Sequence, residues 1–332
     1  MIKQKAINPL STKESANGSS PSPEELARTR ATAAAKLRRS KTCLVPIQPH
    51  GSKKPFFCVH PLAGVVFPYY ELAFLLGEEQ PFFGIQSLGL AANSKPITSI
   101  PEMATCYIKA VRTVQQEGPY AIGGWSFGAI IAFEMAQQLK QAGESVLLVS
   151  LDGTACHGSQ LMNTWEMLKF LFTSGVLDIW PYVFDYFNLT TFAAQKRKQM
   201  AEGGESQQLK LQTPSRTLEI AKAVTQKMEN VEFRQGVIGR LFPIIWTNIK
   251  AYIRYKPQVY PDRMTLLRSD GSCRTYHRHP TLGWANLVQE GVEIHEIPGH
   301  HLNILRQPHV KVLAKTLKAC LEQNYKEVKS SH

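Results

Sequence analysis

Short apolar runs alternate with longer amphipathic stretches from residue 43 onward. The runs predict strands, and the stretches whose apolar residues recur three and four positions apart predict helices. The predicted strands are 43–47, 56–60, 82–85, 120–123, 146–151, 264–267 and 292–297, and the predicted helices are about 69–76, 101–116, 127–141 and 310–322. Near-continuous apolar strands separated by helices predict an α/β fold with a mostly parallel central sheet flanked by helices.

The stretch between Asp152 and Met264 does not continue this alternation. It is rich in aromatic residues, most densely at 165–187, and residues 202–214 within it are polar. We interpret about 154–262 as a large helical lid inserted into the fold above the site. Most of its aromatic residues are expected to pack within the lid, and the rest could line an apolar channel for an acyl chain.

The first 42 residues differ from the rest in composition. Residues 1 to about 22 are polar and are predicted to be disordered, whereas 23–40 form an alanine-rich, basic helical pattern. We therefore divide the chain into a basic linker at 1–42, a domain at 43–325 and a short tail at 326–332. The net charge of +12 is partly carried by this linker, which is either a solvated connection or a docking surface for an acidic partner. No aromatic residues or motifs accompany the charge, so nucleic acid is not expected as a partner.

No segment has the pattern of a signal peptide or a membrane span. The most hydrophobic late segment, 170–187, is broken by Asp178, Pro181 and Asp185. The six cysteines are scattered, without a C-x-x-C pair or a His/Cys cluster at metal spacing. We expect reduced thiols, no bound metal, no membrane partner and a cytoplasmic location.

The stretch Gly124-Trp125-Ser126-Phe127-Gly128 lies between a predicted strand and a predicted helix. A serine in a G-x-S-x-G turn of this kind is a nucleophile elbow, in which small neighbours accommodate a cramped backbone. The helix start places the Phe127 amide where it could stabilise a developing oxyanion. The alternative is a glycine-bracketed turn with a solvated serine. The nucleophile interpretation therefore requires a histidine and a carboxylate elsewhere in the chain.

Three further segments sit at predicted strand ends. The loop His60-Pro61-Leu62-Ala63-Gly64 could supply a second oxyanion donor, with Leu62 the first choice and Ala63 the next, unless it merely turns the chain. A carboxylate to orient a catalytic imidazole could come from Asp152 or from Asp270.

The imidazole itself could come from either His300 or His301, which follow the last predicted strand. The chain order serine, aspartate, histidine is that of an α/β-hydrolase.

The stretches FFCVHPLAG, GGWSFG, LLVSLDG, YKPQVYPDRMTLLRS and EIPGHHLNIL resemble the thioesterase domains that end polyketide and nonribosomal peptide assembly lines. The resemblance runs from about residue 43 to 320 and is weak across the lid. It implies Ser126 as nucleophile, Asp152 as acid and His301 as base. The residue before the base is commonly Asn or Asp in that family, and here it is His300, a neighbour whose charge could alter the base.

The resemblance also implies a function. Such a domain takes an acyl or peptidyl chain from the phosphopantetheine arm of a carrier protein, in cis or in trans, and releases it by hydrolysis or cyclisation without an intrinsic cofactor. Trp125 and Tyr69 are candidates for a substrate channel. The alternatives are a carboxylesterase or lipase acting on free esters, and an acyl-binding module without chemistry.

Overall fold

A computed structural model of the chain describes residues 43–90, 94–155, 231–271 and 280–330. Elements are numbered over these residues. The strands are β1 (Leu44–Gln48), β2 (Phe56–Val59), β3 (Phe82–Ile85), β4 (Tyr120–Trp125), β5 (Val146–Leu151), β6 (Met264–Ser269) and β7 (Val292–Ile297). The helices are α1 (Tyr70–Leu76), α2 (Ile100–Val111), α3 (Phe127–Gln141), α4 (Val231–Arg254) and α5 (His309–Ser330). The linker predicted for 1–42, and residues 156–230 of the predicted lid, lie outside the described residues.

The seven strands form one sheet in the order β1-β3-β2-β4-β5-β6-β7. Strand β1 pairs antiparallel with β3, and each of the other neighbouring pairs is parallel. The mostly parallel sheet predicted from the apolar runs is therefore confirmed. The carboxyl ends of β2, β4, β5, β6 and β7 share one edge, which is where reactive groups gather in such sheets.

Helices cover both faces of the sheet. Every residue of β2, β3, β4 and β6 is buried, which accounts for their lack of a polar face. One hydrophobic cluster joins the sheet to α2 and α3 through side chains such as Tyr107 and Phe133. The other joins it to α1 and α5 through side chains such as Leu72 and Leu317. This two-sided packing fixes the strand ends that carry the site.

The described end of the predicted lid region is helical. Helix α4 spans Val231–Arg254, and Ile244, Asn248, Ile249 and Ala251 on it are buried. Within the described part of the chain, no helix combines the length and apolar character needed to cross a membrane.

Candidate active site

Ser126 occupies a strained turn between β4 and α3. Its φ of 56° and ψ of −122° lie outside the regions that a residue with a side chain prefers. The close approach of strand and helix explains the two flanking glycines. A Cβ on Gly124 would lie 2.3 Å from the Gly128 carbonyl carbon, and a Cβ on Gly128 would lie 2.3 Å from the Val59 oxygen. The sequence folds into an elbow here because neither position has room for a side chain.

Three predicted site residues are in hydrogen-bond contact. His301 Nε2 lies 2.9 Å from Ser126 Oγ, and His301 Nδ1 lies 2.9 Å from Asp152 Oδ2. An ionised carboxylate can only accept, so the Nδ1–H donates to Asp152 and the Nε2 lone pair is left to accept from the serine hydroxyl. The arrangement suits transfer of the serine proton to the imidazole, with the carboxylate stabilising the resulting charge.

Asp152 is held by more than the histidine. It follows β5 with a φ of 51°, and its side chain is fully enclosed. Ser269, at the end of β6, donates its N–H to Oδ1 at 2.7 Å and its hydroxyl to Oδ2 at 2.9 Å. A buried carboxylate is stable only when its oxygens are satisfied. Sequence reasoning missed Ser269, although its place at the end of the strand beside β5 is a usable signal.

The two alternates from the sequence stand elsewhere. Asp270 accepts the Gly299 N–H at 3.0 Å, so its carboxylate supports the loop that carries the histidines rather than the imidazole. His300 is exposed, and its Nδ1 accepts the Leu302 N–H at 3.3 Å while its own N–H donates to Asn303 Oδ1 at 2.7 Å. The structure thus brings Asp152 and His301 to Ser126, and it places Asp270 and His300 in the adjoining turn.

The two residues suggested for a substrate channel are both buried. Trp125 donates its indole N–H to the His301 carbonyl at 3.2 Å, and its ring centroid lies 5.4 Å from the imidazole, so it orients the histidine loop. Tyr69 donates its hydroxyl to the Val59 carbonyl at 2.6 Å and accepts the Trp125 N–H at 3.2 Å. The structure therefore places Tyr69 in the core between two strand ends, instead of on an exposed wall, because its hydroxyl satisfies both backbones.

The two predicted oxyanion donors follow the ends of the neighbouring parallel strands β2 and β4. Phe127 is the first residue of α3, and the first N–H groups of a helix have no acceptor within it. Leu62 and Ala63 lie in the loop after β2. The Leu62 carbonyl accepts the side-chain amide of Asn248 at 2.8 Å, so helix α4 is bonded directly to this loop. Sequence reasoning missed Asn248, because a lone asparagine in a helical stretch carries no pattern.

No group of three or more His, Cys, Asp or Glu side chains that could hold a metal ion occurs in the described ranges. The hydrogen bonds of Ser126, His301 and Asp152 join these side chains to one another and to Ser269. What the arrangement offers is a nucleophile, a proton acceptor and backbone amides.

The sheet order, the elbow and the three side chains above the strand ends are those of an α/β-hydrolase. Within that class the chain belongs to the thioesterase domain family, whose model matches residues 54–321.

Relatives of the chain include much longer synthetases. It is 26% identical over 293 residues to the nonribosomal peptide synthetase atqA of Aspergillus terreus, covering 84% of this chain and 29% of that protein. It is also 26% identical over 294 residues to a protein of Paxillus involutus named inactive atromentin synthetase invA4, covering 84% of this chain and 28% of the relative. The chain thus spans less than a third of the length of these curated relatives.

The fold is also that of solved thioesterase domains. The NocB thioesterase domain from the nocardicin cluster superimposes with a TM-score of 0.52 at 21% identity, covering 85% of this chain and 100% of that one. At this sequence identity the likeness establishes the fold alone. The chemistry is argued from the side chains of the site.

Proposed function

We propose that this domain takes an acyl or peptidyl chain from a carrier-protein thioester onto Ser126 and releases it by hydrolysis or cyclisation. The observation that carries the proposal is the continuous line of contacts from Ser126 through His301 to Asp152, with 2.9 Å at each step. Family membership selects a thioester as the electrophile, and the synthetase relatives favour a phosphopantetheine-bound chain.

Acylation begins at the serine hydroxyl. His301 Nε2 accepts the Oγ proton while Oγ bonds to the thioester carbonyl carbon, and the Phe127 and Leu62 amides donate to the oxyanion. The tetrahedral intermediate then collapses, the C–S bond breaks, and the thiolate takes the proton from the imidazolium. Asp152 stays ionised throughout and stabilises the charged imidazole.

Deacylation repeats the same proton path. His301 accepts a proton from water, or from a hydroxyl or amine of the bound chain, as that group attacks the ester carbonyl carbon. Water gives a free acid, and an internal nucleophile gives a ring. The proton then returns to Ser126 Oγ as the ester bond breaks, so no cofactor is required of the domain.

Two other functions would use part of this site. A carboxylesterase or lipase would employ the same three side chains on free oxygen esters, and comparison of rates on acyl-carrier thioesters and on simple esters separates it from a thioesterase. An acyl-binding module without chemistry needs no aligned triad. The contacts of Ser126, His301 and Asp152 disfavour it, although one relative carries the word inactive in its name.

Replacing the nucleophile provides the test. Ser126→Ala should lower thioester turnover by at least about 1,000-fold with an unchanged circular dichroism spectrum, because only the hydroxyl is removed. Intact mass after treatment with an alkyl fluorophosphonate should show one adduct on the natural chain and none on the variant. The matched control, Ser52→Ala, removes an exposed hydroxyl that donates to Glu79 and should leave both readouts unchanged. Wild-type turnover by Ser126→Ala would overturn the proposal.

The partner and the location follow from the same chemistry. A carrier protein, in cis or in trans, would present the thioester, and a cytoplasmic enzyme would keep its thiols reduced. Intact-mass analysis after mixing with loaded carrier proteins reveals which chain reaches Ser126 and how it leaves. Transfer from a carrier but not from free coenzyme thioesters would support a dedicated carrier partner.

A further inference from the structure

A buried histidine and tyrosine lie directly behind the loop after β2, outside the line of contacts from serine to aspartate. His60 is fully buried at the end of that strand, and Tyr107 of α2 is 1% exposed. The Tyr107 hydroxyl lies 2.8 Å from His60 Nε2, and His60 Nδ1 lies 2.9 Å from the carbonyl oxygen of Pro61. The hydrogen bonds of these two side chains run to each other and to the Pro61 carbonyl, so the proposed chemistry leaves the pair unexplained.

The partners determine which proton each nitrogen carries. A carbonyl oxygen can only accept, so Nδ1 must carry a hydrogen and donate it to Pro61. A neutral imidazole has one such hydrogen, which leaves Nε2 to accept from the Tyr107 hydroxyl. Burial lowers the pKa of His60 to about 4, while the bond to Pro61 opposes the shift. Burial likewise raises the pKa of Tyr107 well above its usual value, so the hydroxyl keeps its proton to donate.

The Pro61 carbonyl is one end of a peptide plane whose other end is the proposed oxyanion donor. In a trans peptide the N–H of the next residue points opposite to the carbonyl, and the next residue is Leu62. A second bond, from the Gly64 N–H at 2.9 Å, holds the same oxygen. His60 and Gly64 both donate to the carbonyl end of this peptide group. Because the group is planar, these two bonds also fix the direction of the Leu62 N–H at its other end.

We propose that His60, held by Tyr107, is a positioning residue that aims the Leu62 amide at the oxyanion. This inference rests on the proposed function, because it needs Leu62 to act as a donor. Oxyanion stabilisation depends on donors that are oriented before charge develops. A peptide plane free to rotate would bind the substrate equally well and the transition state less well.

Tyr107→Phe is the first test, since it removes one oxygen and keeps the ring. On an octanoyl N-acetylcysteamine thioester, kcat should fall about 3- to 10-fold with KM unchanged, a fraction of the roughly 100-fold or greater cost of deleting an oxyanion donor. The inhibition constant of octylboronic acid, which forms a tetrahedral anion on a serine, should rise by the same factor. If Tyr107 only stabilised the fold, its loss would not change kcat and the inhibition constant of octylboronic acid by the same factor.

His60 variants separate its two bonds. His60→Asn can keep a donor near the Nδ1 position, whereas His60→Gln reaches only toward the Nε2 position, so the asparagine variant should keep more kcat. His60→Leu should lose the most, about 100-fold. Should His60→Leu fail to fold, Tyr107→Phe still decides the question.

The matched control is Tyr120→Phe. Tyr120 is also fully buried, but its hydroxyl donates to the Gln116 carbonyl at 2.7 Å, at the opposite end of β4 from Ser126. Its loss should change stability and leave kcat and boronate inhibition unchanged. Equal losses of kcat in Tyr107→Phe and Tyr120→Phe, or a lower kcat with unchanged boronate inhibition, would overturn the positioning role. Turnover retained by Ser126→Ala would instead overturn the proposed function.

Discussion

Two aspartates lie at the same edge of the sheet, and their contacts differ. Asp152 accepts from His301 and twice from Ser269, whereas Asp270 accepts from the Gly299 backbone. Both follow parallel strands and both have a glycine as the next residue. The direction of each side chain, which no sequence pattern encodes, distinguishes them.

Asparagine at each position tests this difference. Asp152→Asn should lower kcat about 1,000- to 10,000-fold, because an amide can donate to Nδ1 and so favour the wrong imidazole tautomer. Asp270→Asn keeps an oxygen that can accept the Gly299 N–H and should change kcat by less than about 10-fold. Steady-state kinetics on one thioester measures both. A larger loss from Asp270→Asn than from Asp152→Asn would contradict the geometry.

The residues that sequence could locate are those whose neighbours constrain them. Ser126 is recognisable because two glycines, a strand and a helix surround it. His300 and His301 could be separated only by resemblance, since both follow the same glycine. The supporting contacts of the Trp125 indole and of Asn248 were not predictable, because each joins segments far apart in the chain through one side-chain hydrogen bond.

At the scale of the elements, the close approach of α3 to the end of β2 depends on Gly128. Gly128→Ala should destabilise the fold by about 1–3 kcal/mol, because its Cβ would lie 2.3 Å from the Val59 oxygen and 2.8 Å from the His60 oxygen. Denaturant unfolding measures the loss, and fluorophosphonate labelling of Ser126 should slow with it.

Gly239→Ala is the matched control for the same substitution. Gly239 lies exposed in α4, and no atom of the described part of the chain lies within 4 Å of its would-be Cβ. Alanine there should raise the free energy of unfolding by up to about 1 kcal/mol, because it restricts the unfolded chain and favours the helix. A loss of stability at Gly239 as large as that at Gly128 would show that close approach is not the cause.

Strands were more predictable than helix ends or strand directions. All seven predicted strands occur, because buried parallel strands have short apolar runs as their signal. The antiparallel pairing of β1 was not predictable, since an apolar run carries no direction. Helix α2 ends at Val111 instead of about residue 116, because the chain turns there and the Gln115 side chain bonds to backbone carbonyls at Glu117 and Pro119.

Stability of the whole molecule should depend on pH through His60. Its pKa is lowered from 6.5 to about 4 by burial, so between these values the unfolded chain binds a proton that the folded chain does not. The free energy of unfolding should therefore decrease as the pH falls from 6.5 to 4, by up to about 3 kcal/mol from this group. Urea unfolding at several pH values measures the slope.

His60→Asn supplies the comparison, because asparagine does not titrate. The variant should lack this part of the slope while every other ionisable group is kept. Parallel pH profiles for the two proteins over this range would mean that His60 titrates alike in the folded and unfolded chains, contrary to its burial.

The three contacting side chains come from widely separated positions in the sequence. Ser126 and Asp152 belong to neighbouring strand ends, but His301 follows the last strand, 149 residues after Asp152. A polypeptide that ended between Asp152 and that final loop would retain the hydroxyl and the carboxylate and have no imidazole between them. A reactive serine consequently indicates that the chain extends past the last strand and that this strand has added to the edge of the sheet.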